Sequence, residues 1–439
     1  MYAKRCLILL AVCFSMPAWA GLNIQNLSTP QGARVYFVEN HDLPMIDLSV
    51  DFSAGSARDQ ADTSGLAGLT HQLMSLGAGS FSERDISDRL ADTGSVLSGR
   101  LDADRAGFTL RTLSSPKERD ESVSLLAVIL ARPAFDSAIL EREKARDIAN
   151  LKEAETKPEV IGERAFRKAI YGAHPYGLDD DGEVSTLARL KRDDLAAFHR
   201  QFYRASDMTI AIMGDLTRAD AQAIAVQLAA GLPAGEAPVP IPPVQVAAKG
   251  IEEVIPHPAT QSHLFMGLPG LKREDPDYFP LYVGNYVLGG GGFDSRLMES
   301  IRQKKGLAYS VYSYFMPMQE LGPFSLGLQT RRDATREAVD LARAELASYL
   351  KEGPTEAELT QAKNNLIGGF PLRIDSNKKI LEYLAVIGFY RLPLDWLDTY
   401  TGKVAAVTRD DVLRAFRARI VPQEMSTVIV GGQLDGTQK

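Results

Sequence analysis

Two stretches recur in this chain at one fixed separation, and the recurrence restricts the possible folds more than any single motif does. Leu190-Lys191-Arg192-Asp193-Asp194-Leu195, followed by Met208-Thr209-Ile210-Ala211-Ile212-Met213-Gly214, has a counterpart in Val407-Thr408-Arg409-Asp410-Asp411-Val412, followed by Met425-Ser426-Thr427-Val428-Ile429-Val430-Gly431. Both pairs are offset by 217 positions, Leu190 to Val407 and Met208 to Met425. One such match is within reach of chance; two at the same offset make duplication the better explanation. In each copy an Arg-Asp-Asp suited to the positive start of a helix leads to a short β-branched run that stops at glycine, as a buried strand does.

Between the copies lies Gly231-Leu232-Pro233-Ala234-Gly235-Glu236-Ala237-Pro238-Val239-Pro240-Ile241-Pro242-Pro243. It has neither helical nor strand periodicity and reads as an extended, semi-rigid linker. The expected organisation is an export signal at 1–20, a first half at 21–232, the linker at 233–249 and a second half at 250–439. Strands are expected at 34–38, 46–52 and 108–113, and helices at 67–76, 83–93, 118–131 and 140–155. Strands and helices mix in both halves. The expected class is therefore α+β, each half a sheet with helices packed on it.

Residues 1–20 have the three parts of a secretory signal: Lys4 and Arg5, an apolar core from Leu7 to Met16, and Ala18-Trp19-Ala20 before Gly21. Cleavage there would remove both cysteines, Cys6 and Cys13, so no disulfide is expected, and the simplest location is a bacterial periplasm. The formal charge would pass from −7 to −9, with 56 acidic residues against 47 basic ones once Lys4 and Arg5 are gone. A mildly acidic, mixed surface argues against a nucleic-acid binder. No later segment has the roughly 18 unbroken apolar residues of a membrane span.

The chemistry-bearing stretch of the first half is Ser64-Gly65-Leu66-Ala67-Gly68-Leu69-Thr70-His71-Gln72-Leu73-Met74. It resembles the active-site helix of the pitrilysin/insulinase family of zinc metallopeptidases, which carries Gly-Leu-Ala-His-x-x-Glu-His. In that motif two histidines on one helical face bind zinc and the glutamate between them activates water. The matching positions here are Gly68, His71 and Gln72. Glycine has no ligand atom, the glutamine amide is a poor donor, and histidine stands where the base belongs. The resemblance places the family's remaining ligand, a glutamate, at Asn150. No zinc is expected in this chain, and His71 reads as a partly exposed or hydrogen-bonded helix residue.

The second half keeps more. Ser295-Arg296-Leu297-Met298-Glu299-Ser300-Ile301-Arg302-Gln303-Lys304-Lys305-Gly306-Leu307-Ala308-Tyr309-Ser310-Val311 resembles the family's second signature, an arginine followed seven residues later by a tyrosine. The spacing predicts a helix over 294–305 that ends at Gly306, then a strand in which Tyr309, Val311 and Ser313 share one face and Ser310, Tyr312 and Tyr314 the other. Gly289-Gly290-Gly291-Gly292 lacks the features of a phosphate loop and reads as a turn before that helix.

The resemblance implies two homologous halves facing each other across a chamber. It also implies that Arg302 and Tyr309 bind the substrate carbonyl and the tetrahedral intermediate at a zinc site on the opposite half. One signature eroded and the other intact is similar to the non-catalytic subunit of two-chain bacterial members. The expected partner is then a zinc-bearing homologue, and the substrate a peptide. The alternative is a peptide-binding or scaffolding homologue with no part in hydrolysis. A third reading, an unorthodox metalloenzyme built on His71, predicts metal in the purified chain.

Overall fold

The computed structural model describes residues 22–432 apart from 234 and 237. The expected export signal at 1–20 lies outside the described residues.

The first half has strands β1 (Gln25–Ser28), β2 (Arg34–Glu39), β3 (Met45–Phe52), a short hairpin of β4 (Gly77–Ala78) and β5 (Phe81–Ser82), β6 (Val96–Leu101), β7 (Ala106–Leu113) and β8 (Thr209–Gly214). Its helices are α1 (Leu66–Met74), α2 (Glu83–Asp92), α3 (Pro116–Ala131), α4 (Ser137–Ala154), α5 (Pro158–Tyr171), the single turn α6 (Val184–Leu187), α7 (Arg192–Phe202) and α8 (Arg218–Ala229). The second half has β9 (Glu252–Ile255), β10 (Gln261–Leu271), β11 (Ala308–Phe315), β12 (Gly322–Arg331) and β13 (Ser426–Val430). Its helices are α9 (Tyr278–Asn285), α10 (Thr335–Glu352), α11 (Glu356–Gly369), α12 (Asn377–Phe389), α13 (Trp396–Ala406) and α14 (Arg409–Arg419).

The duplication extends to topology. One sheet runs β1-β2-β8-β3-β7-β6 and the other, read from its far edge, β9-β13-β10-β12-β11. In both, the last strand of the half lies between a parallel neighbour (β2 or β9) and an antiparallel one (β3 or β10). The helices that lead to those strands start alike. Asp194 accepts the Lys191 backbone N–H at 2.8 Å, and Asp411 accepts that of Thr408 at 3.0 Å.

Each sheet alternates its faces as a pleated strand must. In the first, Val35, Phe37, Ile46, Leu48, Val50 and Phe52 point with Ile210 and Ile212 into a core shared with α1, α3, α7 and α8. In the second, Leu264, Met266, Leu268, Phe324, Leu326 and Ile429 point into a core with α9, α10, α11 and α14.

The other face of each sheet is covered by a helix from the opposite half. α5 lies on β10 and β13, and α12 lies on β2, β3 and β8. Phe166 and Ile170 of α5 pack with Val428 and Val430, and the Phe166 ring stacks on Phe265 with centroids 6.2 Å apart. Leu384 and Ile387 of α12 join Tyr36, Val38, Ala211 and Met213. The approach is close enough to require glycine in α12, where a Cβ on Gly388 would come within 2.6 Å of the Tyr36 ring. Burying each large apolar side chain contributes about 1.5–3 kcal/mol, and here that gain is available only when the halves are together.

A polar knot ties the halves at their junction. Asp104, buried in the first half, accepts hydrogen bonds from Tyr176 Oη, from Tyr390 Oη at 2.7 Å and from the Gln319 backbone N–H at 2.7 Å. The proline-rich stretch is also held in place. His174 and Ser206 donate to the carbonyls of Pro242 (2.8 Å) and Gly235 (2.6 Å), and Ile241 and Val244 are buried. Among the described residues no helix is long and apolar enough to cross a membrane.

Candidate functional site

Helix α1 starts at Gly65, whose φ of +91° suits glycine, and the buried Asp59 carboxylate accepts the backbone N–H groups of Gly65 (2.8 Å) and Ala67 (2.9 Å). Burial pushes the Asp59 carboxyl up to about 7. The 179–182 loop crosses this helix end, where Ser64 Oγ donates to the Asp179 carbonyl at 3.1 Å. A Cβ on Gly68 would stand 3.1 Å from the Asp180 carbonyl oxygen, so a bulkier residue there needs that loop to give way.

The four sequence-derived positions divide into two groups. Gly68, Gln72 and Asn150 line one cavity of about 290 Å³, together with Asp147, Asp180 and Asp181. His71 does not line it. Its Nε2 donates to the Gly107 carbonyl at 2.7 Å, its ring stacks on Phe108 with centroids 4.7 Å apart, and it is buried against Gly99. Burial lowers its pKa, so the ring is held neutral. Of the two expectations for His71, hydrogen-bonded and partly exposed, the first matches its surroundings and the second does not. The Gln72 amide donates to Glu143 Oε2 at 2.9 Å, and Glu143 is itself buried and paired with Arg142 Nε at 2.8 Å and with Arg146.

These donors do not fit a catalytic zinc, which needs about three protein ligands and an open position. Gly68 offers nothing, Gln72 and Asn150 offer neutral amides, and the one nearby imidazole is committed to a backbone carbonyl. Among the described residues no three His, Cys, Asp or Glu side chains converge to hold a metal ion. Asp147 and Asp181 flank the cavity with carboxyl pKa values raised by burial. Sequence reasoning did not single them out, because aspartates on a charged helix and in a polar loop carry no distinguishing spacing.

His199 is held elsewhere in the same manner as His71: its Nε2 donates to the Leu130 carbonyl at 2.8 Å and burial lowers its pKa as well. Above their ordinary value of 6.5 both are neutral folded or unfolded and contribute nothing to pH dependence. Below it the unfolded chain takes up protons that the fold refuses, so stability falls until the depressed folded values are reached. The raised carboxyls of Asp51, Asp59 and Asp104 act in the opposite sense, so the informative quantity is a difference. His71→Gln is expected to shrink the loss of urea midpoint between pH 7 and pH 5 relative to wild type. An equal loss in both proteins would show that the folded His71 protonates as readily as an unfolded one.

In the second half the expected single helix over 294–305 is a 3₁₀ turn (Gly292–Asp294) followed by a π-helical segment (Met298–Gln303) that carries Arg302. Gly306 closes it at φ +63°, its N–H donating to the Arg302 carbonyl at 2.9 Å. The Arg302 guanidinium lies over the Tyr309 ring, 4.9 Å from its centroid. The expected facing of Tyr309 is corrected. Ala308 pairs with Thr330 and Ser310 with Gln329, so Tyr309 is the extra residue of a β-bulge. The bulge turns its side chain away from the buried Val311 and Ser313 and leaves it 77% exposed.

Comparison with known proteins agrees with this architecture. The insulinase (peptidase family M16) family model matches residues 34–179, and the peptidase M16 inactive domain model matches residues 189–366. The non-peptidase homolog YmxG of Helicobacter pylori is 26% identical over 404 residues, covering 91% of this chain and 92% of the relative. An uncharacterized zinc protease of Streptomyces coelicolor is 26% identical over 422 residues, covering 93% and 89%. The crystal structure of a peptidase M16 inactive domain from Pseudomonas fluorescens is 36% identical with a TM-score of 0.90, covering 94% of this chain and 98% of that one. A Helicobacter pylori protease structure at 18% identity and a TM-score of 0.85, covering 93% and 99%, shares the fold. With two homologous halves and a motif helix stripped of its metal donors, the chain belongs to the insulinase family of peptidases, M16, as an inactive homologue.

Proposed function

We propose that this chain is the non-catalytic subunit of a periplasmic zinc metallopeptidase, exported by residues 1–20 and paired with a zinc-bearing homologue. In this reading Arg302 and Tyr309 reach the partner's metal site. There the guanidinium and the phenol donate hydrogen bonds to the scissile carbonyl and stabilise the oxyanion that forms on it. Zinc belongs to the partner and supplies the activated water. The observation that carries the reading is a contrast within one molecule: the first motif's side chains are absent or committed to neighbours, while Arg302 and Tyr309 lie side by side at the surface.

The test is purification of the tagged mature chain from its native periplasm, with mass spectrometry of what accompanies it and metal analysis of each component. The expected result is an equimolar homologue with an intact His-x-x-Glu-His, chelator-sensitive peptidase activity, and zinc in that homologue alone. A solitary, inactive chain that binds extended peptides would establish the scaffold reading instead. Zinc bound to this chain by itself would overturn both.

A further inference from the structure

A second ring accompanies Tyr309 at the Arg302 guanidinium. The Phe293 ring lies against it as well, with its centroid 4.8 Å from the guanidinium carbon, against 4.9 Å for Tyr309. Both rings are largely exposed, Phe293 at 63% and Tyr309 at 77%, so neither is positioned by core burial. The backbone presents Phe293 deliberately. Gly292 precedes it at φ +62°, Gln303 Nε2 donates to its carbonyl at 2.8 Å, and the buried Ser295 hydroxyl holds the Gly292 carbonyl at 2.7 Å. Three local irregularities meet at this point: the 3₁₀ turn that carries Phe293, the π-helical segment under Arg302 and the bulge at Tyr309. Such departures from regular structure cluster where side chains must be aimed.

We infer that Phe293 is a positioning residue for Arg302, an inference that rests on the proposed role of the Arg/Tyr pair. A guanidinium carries its five N–H donors in one plane and offers π-faces above and below it. Two aromatic rings packed against the guanidinium carbon restrict how the group can tilt, and so where its N–H donors point for an incoming carbonyl oxygen. Phe293 does not touch that oxygen. It narrows the orientations of the group that does, which should raise kcat and leave ground-state binding little changed.

The test uses the active complex of this chain with its zinc-bearing homologue and measures kcat and KM separately. Phe293→Leu keeps apolar bulk but has no π-face; Phe293→Trp keeps the face. Phe293→Leu is expected to lower kcat about five-fold with KM unchanged, in line with the usual strength of an exposed cation–π contact, and Phe293→Trp to restore it. In an Arg302→Ala background Phe293→Leu should have no further effect, since its action passes through Arg302. Wild-type kcat in Phe293→Leu, or an equal loss in the Arg302→Ala background, overturns the inference while leaving the Arg/Tyr reading intact. Unchanged turnover in Arg302→Ala alone overturns that reading, and this inference with it.

Discussion

Replacing Arg302 with alanine is expected to reduce turnover of the two-chain enzyme about a hundredfold while the complex still assembles. Removing one preorganised donor from an oxyanion site costs about 3 kcal/mol of transition-state stabilisation, roughly two powers of ten in rate. The fold should not notice. The aromatic contacts of the guanidinium are with two exposed rings, and Arg302 belongs to neither sheet core. Arg302→Lys retains the charge but not the planar fork, so it should recover only part of the loss. The measurement is kcat for a chelator-sensitive peptide, with co-purification as the check on assembly. Full turnover by the alanine variant would exclude the proposed role.

Asp104→Ala is expected to lower the free energy of unfolding by about 4 kcal/mol. The side chain is the common acceptor for the hydroxyls of Tyr176 and Tyr390 and for the Gln319 N–H, so its loss strands two buried hydroxyls, one from each half, and a part-buried backbone N–H. An unsatisfied buried polar group costs about 1–3 kcal/mol. Tyr390→Phe, which removes one donor and strands nothing new on its own side, should cost only about 1 kcal/mol. Urea midpoints for the three proteins decide the matter. A midpoint for Asp104→Ala within the range of Tyr390→Phe would mean that water replaces the lost acceptor.

The sequence carried the mixed fold and its duplication well, and for a physical reason. Capping aspartates such as Asp194 and Asp411 and β-branched runs ending at Gly214 and Gly431 are local signals, decided by residues a few positions apart. The stripped motif was legible for the same reason: glycine at 68 holds no metal whatever surrounds it. What stayed hidden was non-local. The apolar stripes of α5 and α12 announce that each helix is covered but carry no mark of which sheet covers it. The bulge at Tyr309 leaves the alternation of Tyr, Val and Ser unbroken in the letters while turning one side chain outward. Phe293 has no spacing relation to Arg302 that either motif would reveal. The glycine run at 289–292 before it, expected as a turn, instead ends a π-helical segment (Tyr286–Gly290) and opens the 3₁₀ turn that carries Phe293; four glycines signal irregular backbone but not where the next side chain will point.

The exchange of α5 and α12 between the halves has a consequence in time. A polypeptide is made from one end, so the first sheet is complete in sequence once Gly214 has emerged, whereas the helix that covers one of its faces ends at Phe389. At roughly 5–20 residues per second that face waits on the order of 10–35 s for its cover. During that interval Tyr36, Val38, Ala211 and Met213 have no native neighbour across the sheet. The finished protein hides this surface completely, so the most dangerous stage for the molecule falls before it exists as a whole, and its yield in a cell should depend on how well the unfinished chain is sheltered.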